Sequence, residues 1–167
     1  MSDGLFYVLL PRFNMFSLTN LMEPARIANY LSAEDLYQKT YLSFDGPNIM
    51  SSNGMVVECQ MAPKQMARDD LIFIVGSWGA EHYANRKLFS LLRVQARNGV
   101  RICAVEMGAY ILARAGLLAQ RSATMHWSYL AGFQEQFPDV DVQEQHFTED
   151  GPILCCSGAT AGLDLML

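Results

Sequence analysis

Gly99-Val100-Arg101-Ile102-Cys103-Ala104-Val105-Glu106-Met107-Gly108-Ala109-Tyr110-Ile111-Leu112-Ala113 decides how the chain folds. Residues 102–105 are an apolar run of strand length, and Gly99 sets them off from what precedes. From Ala109 the pattern is helical, so a sharp turn lies between. Gly108 is read as the residue that relaxes the steric limit where the chain reverses. A side chain at such a turn stands at the C-terminal edge of the sheet, facing the crevice where open α/β sheets bind ligands. Here that side chain is Glu106. Enzymes built on this elbow place a serine or cysteine there, because the turn presents a nucleophile. A glutamate in that place is the central fact of the sequence.

Working outward, residues 5–10 form a continuous apolar run closed by Pro11, which suits a buried parallel strand. Residues 11–17 read as a loop. Residues 18–31 carry apolar positions at helical spacing, with Pro24 among them, so this helix is kinked there or starts late with Pro24 in its first turn. Residues 37–44 read as a second strand, and Ser51-Ser52-Asn53-Gly54 as a hairpin turn before a short strand at 55–57. Leu71-Ile-Phe-Ile-Val75 is the clearest parallel strand, and it ends in Gly76-Ser77-Trp78-Gly79. Helices are expected over 82–98, from 109 to near Gly116, over 128–137 and from Gly158 onward. Residues 123–125 read as extended, and 140–147 with 153–156 as a hairpin about Glu149-Asp150-Gly151. Strands alternating with helices predict a three-layer α/β/α sandwich around a mostly parallel sheet.

The 167 residues suffice for one domain with a proper core. A net charge of -5 argues against this segment binding nucleic acid by itself, since such domains carry a basic face. No apolar run approaches the roughly 20 residues of a membrane span. The start, Met1-Ser-Asp-Gly-Leu, lacks a basic region followed by an apolar leader segment, so the chain is read as cytoplasmic. The cysteines are Cys59, Cys103, Cys155 and Cys156. None forms a C-x-x-C pair, so neither a metal nor a cofactor is expected, and reduced core thiols are.

Four loops leave the strands' C-terminal edge: Phe13-Asn14, Gly76 to Gly79, Glu106-Met107-Gly108, and His126-Trp127. The candidate ligand-binding residues are therefore Phe13, Asn14, Ser77, Trp78, Glu106, Met107, His126 and Trp127. No catalytic residue is assigned. His126 could serve as a base, but position 106 holds no nucleophile, and nothing sets Ser77 on a strained turn. A carboxylate in a semi-buried crevice costs desolvation free energy unless a cation or hydrogen-bond donors meet it. The neighbouring helix N-terminus offers donors, and a bound ammonium or guanidinium would offer the rest. Trp78 and Trp127 could wall a cation–π site, at about 0.5–2 kcal/mol each. Alternatively, Glu106 caps its own helix or forms an acid–base pair with His126, the indoles are core, and His126 is structural.

The chain resembles the amino-terminal domain of the GlxA-like group of AraC-type transcriptional regulators. That domain belongs to the class I glutamine amidotransferase-like superfamily, in its ThiJ/PfpI branch. The resemblance rests on Leu9-Leu-Pro-Arg-Phe13, Glu23-Pro24-x-Arg26-x-Ala28-Asn29, Tyr41-Leu-Ser43-x-Asp45-Gly46, Ala123-Thr124-x-His126-Trp127, Phe137-Pro138-Asp139-Val140 and Ser157-Gly158-Ala159-Thr160-Ala161-Gly162-x-Asp164-Leu165-Met166-Leu167. It implies a flavodoxin-like fold and a single ThiJ/PfpI-like sensing domain over 1–167. The apolar stretch ending at Leu167 reads as a fragment's end, with a helix-turn-helix DNA-binding domain expected beyond it. Enzymes of the superfamily carry a cysteine where this chain has Glu106. The acidic residue that often supports that cysteine is, by spacing from Glu23, replaced by Ser17. The resemblance thus implies a small-molecule effector, with betaine-like and amino-acid ligands known in the group. It also implies DNA contact only through the missing domain, and a homodimer. The competing expectations are a hydrolase or lyase working without cysteine, and a module that only dimerises.

Overall fold

The computed structural model describes residues 3–61 and 66–167. Met1 and Ser2, the first residues of the stretch read for a leader, lie outside the described residues. In chain order the elements are β1 (Asp3–Leu9), α1 (Met15–Ser32), β2 (Tyr37–Leu42), β3 (Asn48–Met50), β4 (Val56–Glu58), β5 (Leu71–Val75), α2 (Arg86–Arg97), β6 (Arg101–Val105), α3 (Ala109–Arg114), β7 (Ser122–Ala123), α4 (Leu130–Gln136), β8 (Asp141–Val142), β9 (Phe147–Asp150), β10 (Ile153–Cys156) and α5 (Ala161–Met166). The main sheet has the order β2-β1-β5-β6-β10-β9. Every neighbour pair in it is parallel except β10 with β9.

The apolar strands alternate between two cores because successive side chains point to opposite faces. Ile72, Ile74, Ile102 and Ala104 face one cluster with Leu88 and Leu92 of α2, Ile111 and Leu112 of α3, and Phe133 of α4. Phe73, Val75, Cys103 and Val105 face the other, with Leu18, Leu21 and Ala25 of α1 and Ala161 of α5. Two buried layers, each filled by side chains worth about 1.5–3 kcal/mol apiece, hold the sheet between its helices. The three-layer architecture expected from the alternation is the one observed.

Several boundaries differ from the expectation. Helix α1 begins at Met15 and runs through Pro24, so the proline neither delays its start nor sits in its first turn. Asn14 caps it, accepting from Phe16 N–H at 2.9 Å. Helix α2 begins only at Arg86, where the Asn85 side chain accepts from Lys87 and Leu88 N–H groups. Of residues 140–147, Asp141 and Val142 pair with β7, and the expected hairpin with β10 begins at Phe147. Gly158 to Thr160 form a turn ahead of α5 rather than its first residues. Among the described residues no helix is long and apolar enough to cross a membrane.

Candidate functional site

The end of β6 carries the sharpest backbone feature. Glu106 takes a left-handed φ of 53° and opens a single 3-10 turn, Glu106–Gly108, that runs directly into α3. Such a conformation costs a non-glycine residue about 1–3 kcal/mol and persists only where the surroundings impose it. The strain therefore falls on Glu106, not on Gly108, whose φ is an ordinary helical -58°. Gly108 is needed for another reason. A Cβ there would collide with the carbonyl group of Ile74, because α3 starts hard against β5.

The glutamate side chain is 3% exposed. It caps neither its own turn nor α3, since no side-chain cap bond forms at either. It reaches across to α1 instead. Asn14 Nδ2 donates to Oε1 at 2.6 Å, and the Ser17 hydroxyl donates to the same oxygen at 2.5 Å. Asn14 thus caps α1 with its oxygen and holds Glu106 with its nitrogen. Burial pushes the Glu106 carboxyl above the ordinary range. The bonds from Ser17 and Asn14, the nearby His126 and the Ser77 hydroxyl pull the other way without cancelling it. Among the described residues no lysine or arginine pairs with Glu106.

Beside this carboxyl lies a hollow of about 460 Å³, lined among others by Thr124, His126, Trp127, Glu144, His146 and Gly158. Gly158 belongs to both places: it lines the hollow and lies against the Glu106 side chain. His126 holds the mouth, its Nδ1 2.8 Å from Ser128 Oγ and its ring stacked on Trp127 at 5.7 Å. Trp127 is 74% exposed over the hollow.

The structure brings Asn14, Ser77 and His126 to Glu106, and sets Trp127 beside His126 in the hollow, whose lining holds Gly158 but not Glu106, Asn14 or Ser77. It separates the other candidates. Phe13 is wholly buried in the core beneath α1, and Met107 is buried in the core on the opposite face of the sheet. Trp78 lies outside the first hollow, lining a smaller one with Pro11, Arg12 and Tyr83, so the two indoles do not face each other across one site. Ser17, Gly158 and Ala159 are site residues absent from the candidate set. For Ser17 the signal is its place by spacing from Glu23, and for the other two the Ser157-Gly158 pair directly after the apolar run 153–156, at the same sheet edge as Glu106. The four cysteines are buried thiols, and no group of three or more metal-ligating side chains assembles among the described residues.

The DJ-1/PfpI family pattern matches residues 7–167. The chain is 38% identical over its whole length to the HTH-type transcriptional regulator CdhR of Pseudomonas aeruginosa, covering 49% of that protein. It is 36% identical over 161 residues to the HTH-type transcriptional regulator GbdR of the same species, covering 96% of this chain and 44% of that one. The chain thus spans about half the length of the curated relatives it matches. Among solved structures it superposes on an AraC family transcriptional regulator from Pseudomonas putida with a TM-score of 0.86 and 27% identity, over 98% of this chain and 88% of that one.

Proposed function

We propose a sensing role for this chain, which belongs to the DJ-1/PfpI family. In this reading it is the effector-binding domain of a bacterial AraC-type transcriptional regulator. It takes a small cationic, nitrogen-containing metabolite at the corner formed by Glu106, Ser77, His126 and Trp127, with Asn14 behind them. The observation that carries the reading is a buried carboxylate met only by neutral donors. A carboxylate kept out of water needs a cation or a full set of hydrogen bonds to offset its lost hydration. Asn14 and Ser17 both bind Oε1, so an incoming ammonium or guanidinium would meet Oε2, beside the Ser77 hydroxyl and His126. Trp127, exposed above the hollow, supplies an aromatic face for the same charge.

The corner favours binding over turnover. Its strained residue is a carboxylate, and the four thiols are buried away from solvent. DNA contact in this reading is left to a helix-turn-helix domain following residue 167, in a cytoplasmic homodimer that reads paired half-sites. Titration calorimetry against quaternary amines, basic amino acids and polyamines tests the proposal. A cationic ligand should bind, and Glu106→Gln should weaken it strongly. Binding of neutral or anionic metabolites alone, indifferent to Glu106→Gln, would overturn it.

A further inference from the structure

Three left-handed residues meet at the elbow: Glu106, Gly158 with φ 94°, and Ala159 with φ 51°. Ala159 bears a Cβ, so contacts must hold its backbone in that region. Two of them come from side chains of α1, and a third from α5, whose Gly162 N–H donates to Ala159 C=O at 3.4 Å. Ala159 N–H donates to Ser17 Oγ at 2.8 Å, and Ala159 C=O accepts from Asn20 Nδ2 at 3.1 Å. The Ser17 hydroxyl has one proton and spends it on Glu106 Oε1, which leaves its lone pairs for the Ala159 N–H. Ser17 is wholly buried, so water cannot take over either bond. The chain then enters α5, which lies closely on α1: a Cβ at Gly162 would come within 3.3 Å of Leu21 Cδ2.

We propose that Ser17 is a relay that couples the Glu106 carboxylate to the Gly158–Ala159 turn, and through it to the seating of α5 on α1. An ionised Glu106 fixes the hydroxyl proton toward itself with a charge-assisted bond. Protonation replaces that bond with a weaker one, and the hold on Ala159 slackens. In the sensing reading, on which this extension rests, a cation closing on Glu106 keeps it ionised and keeps α5 seated. Occupancy of the corner is thereby expressed on the last helix of the domain. The other titratable groups facing the relay are His126 from the turn after β7 and Cys156 from β10. On α5 there is Asp164, 3.7 Å from His146 Nδ1.

The proton itself is the probe, so the test needs no effector. In the whole chain, the Ala159 amide and the Asn14 side-chain amide are followed by NMR through a pH titration. Both should report one common transition. Once corrected for intrinsic rates, the α5 amides should exchange about tenfold faster when Glu106 is protonated, the size expected when a charge-assisted hydrogen bond gives way to a neutral one. In Ser17→Ala the Asn14 signal should still titrate while Ala159 falls silent. In Glu106→Gln both should fall silent, whereas His126→Gln and Asp164→Asn should keep the transition. Should Ser17→Ala not fold, Ser17→Cys carries the same comparison, because a thiol is a weak donor and acceptor. Ala159 titrating undiminished without the Ser17 hydroxyl, or not titrating in the unaltered chain, would overturn the relay. Coupling without any cation binding would instead sink only the sensing reading, and cation binding without coupling only the relay.

Discussion

Gly158 lies so close to Glu106 that the glycine's α-carbon is part of the wall around the glutamate side chain. A Cβ added at Gly158 would sit 2.9 Å from both Cδ and Oε1 of Glu106, on a backbone whose φ is 94°. Gly158→Ala should therefore destabilise the domain by about 2–6 kcal/mol, the sum of overpacking and left-handed strain. Urea unfolding measures it. In a Glu106→Ala background the same change should cost clearly less, because the collision is gone and only the backbone strain remains. Equal costs in the two backgrounds would mean that the glycine serves its φ alone.

This contact explains what could be read in advance and what could not. The strand at 71–75, the elbow at 106 and the two-sided core follow from local signals. An apolar run of strand length, a turn and a helical period each act within a few residues. The partners of Glu106 do not follow that way. Ser17 lies 89 residues away and Asn14 92 residues away, and only the stacking of α1 against the sheet brings them to the elbow. Phe13 and Asn14 are neighbours in sequence, yet one enters the core and the other the corner, because the cap of α1 turns the chain between them. That both tryptophans follow strands is the sole sequence reason to put Trp78 in the same crevice as Trp127. The separation of their hollows depends on how each loop folds back, which a strand-edge argument does not specify.

The burial of Glu106 should appear in the pH dependence of stability. Its carboxyl is held above the ordinary value of 4.5, burial being the main cause. The folded state therefore binds this proton more tightly than the unfolded state does, and ionising it costs stability. That penalty is absent below 4.5 and complete above the raised value. Glu106→Gln, which keeps the shape and an acceptor for Ser17 and Asn14, should gain on the unaltered chain as pH rises through that window toward neutrality. The two should converge on the acid side. Urea midpoints taken across that range decide the matter; an unaltered chain that gains on the glutamine variant with rising pH would show a carboxyl held low instead.

The two tryptophans should respond differently to a cation. Trp127 is exposed over the hollow beside His126, whereas Trp78 lines a separate one. Trp127→Ala should weaken binding of a quaternary amine between about twofold and thirtyfold, the range spanned by cation–π contacts. Trp78→Ala should leave it within about twofold, as expected for a residue outside the contact. Fluorescence of the single-tryptophan variants gives a second reading, with only Trp127 emission changing on binding. A response confined to Trp78 would move the ligand to the Pro11–Tyr83 hollow.

Arg114 holds the loop that carries Trp78. From the last turn of α3 its guanidinium donates to the backbone carbonyl of Tyr83 at 2.8 Å and to that of Glu81, and it lies over the Tyr110 ring at 5.9 Å. One planar fork thus closes two carbonyls that the 3-10 turn at Ala80–His82 leaves without helix partners. Arg114→Met keeps much of the packing but removes both donors. It should cost about 1.5–3 kcal/mol, as the loss of charged hydrogen bonds does elsewhere. Arg114→Lys should recover less than half of this, since an ammonium on a flexible stem cannot reproduce the fork. The loss should also be local. Trp78 emission in a Trp127→Phe background should shift toward that of free indole, and amide exchange over residues 79–85 should quicken while the Ala159 amide is unchanged. Equal quickening at both places would mean that Arg114 supports the core around Tyr110 rather than the loop.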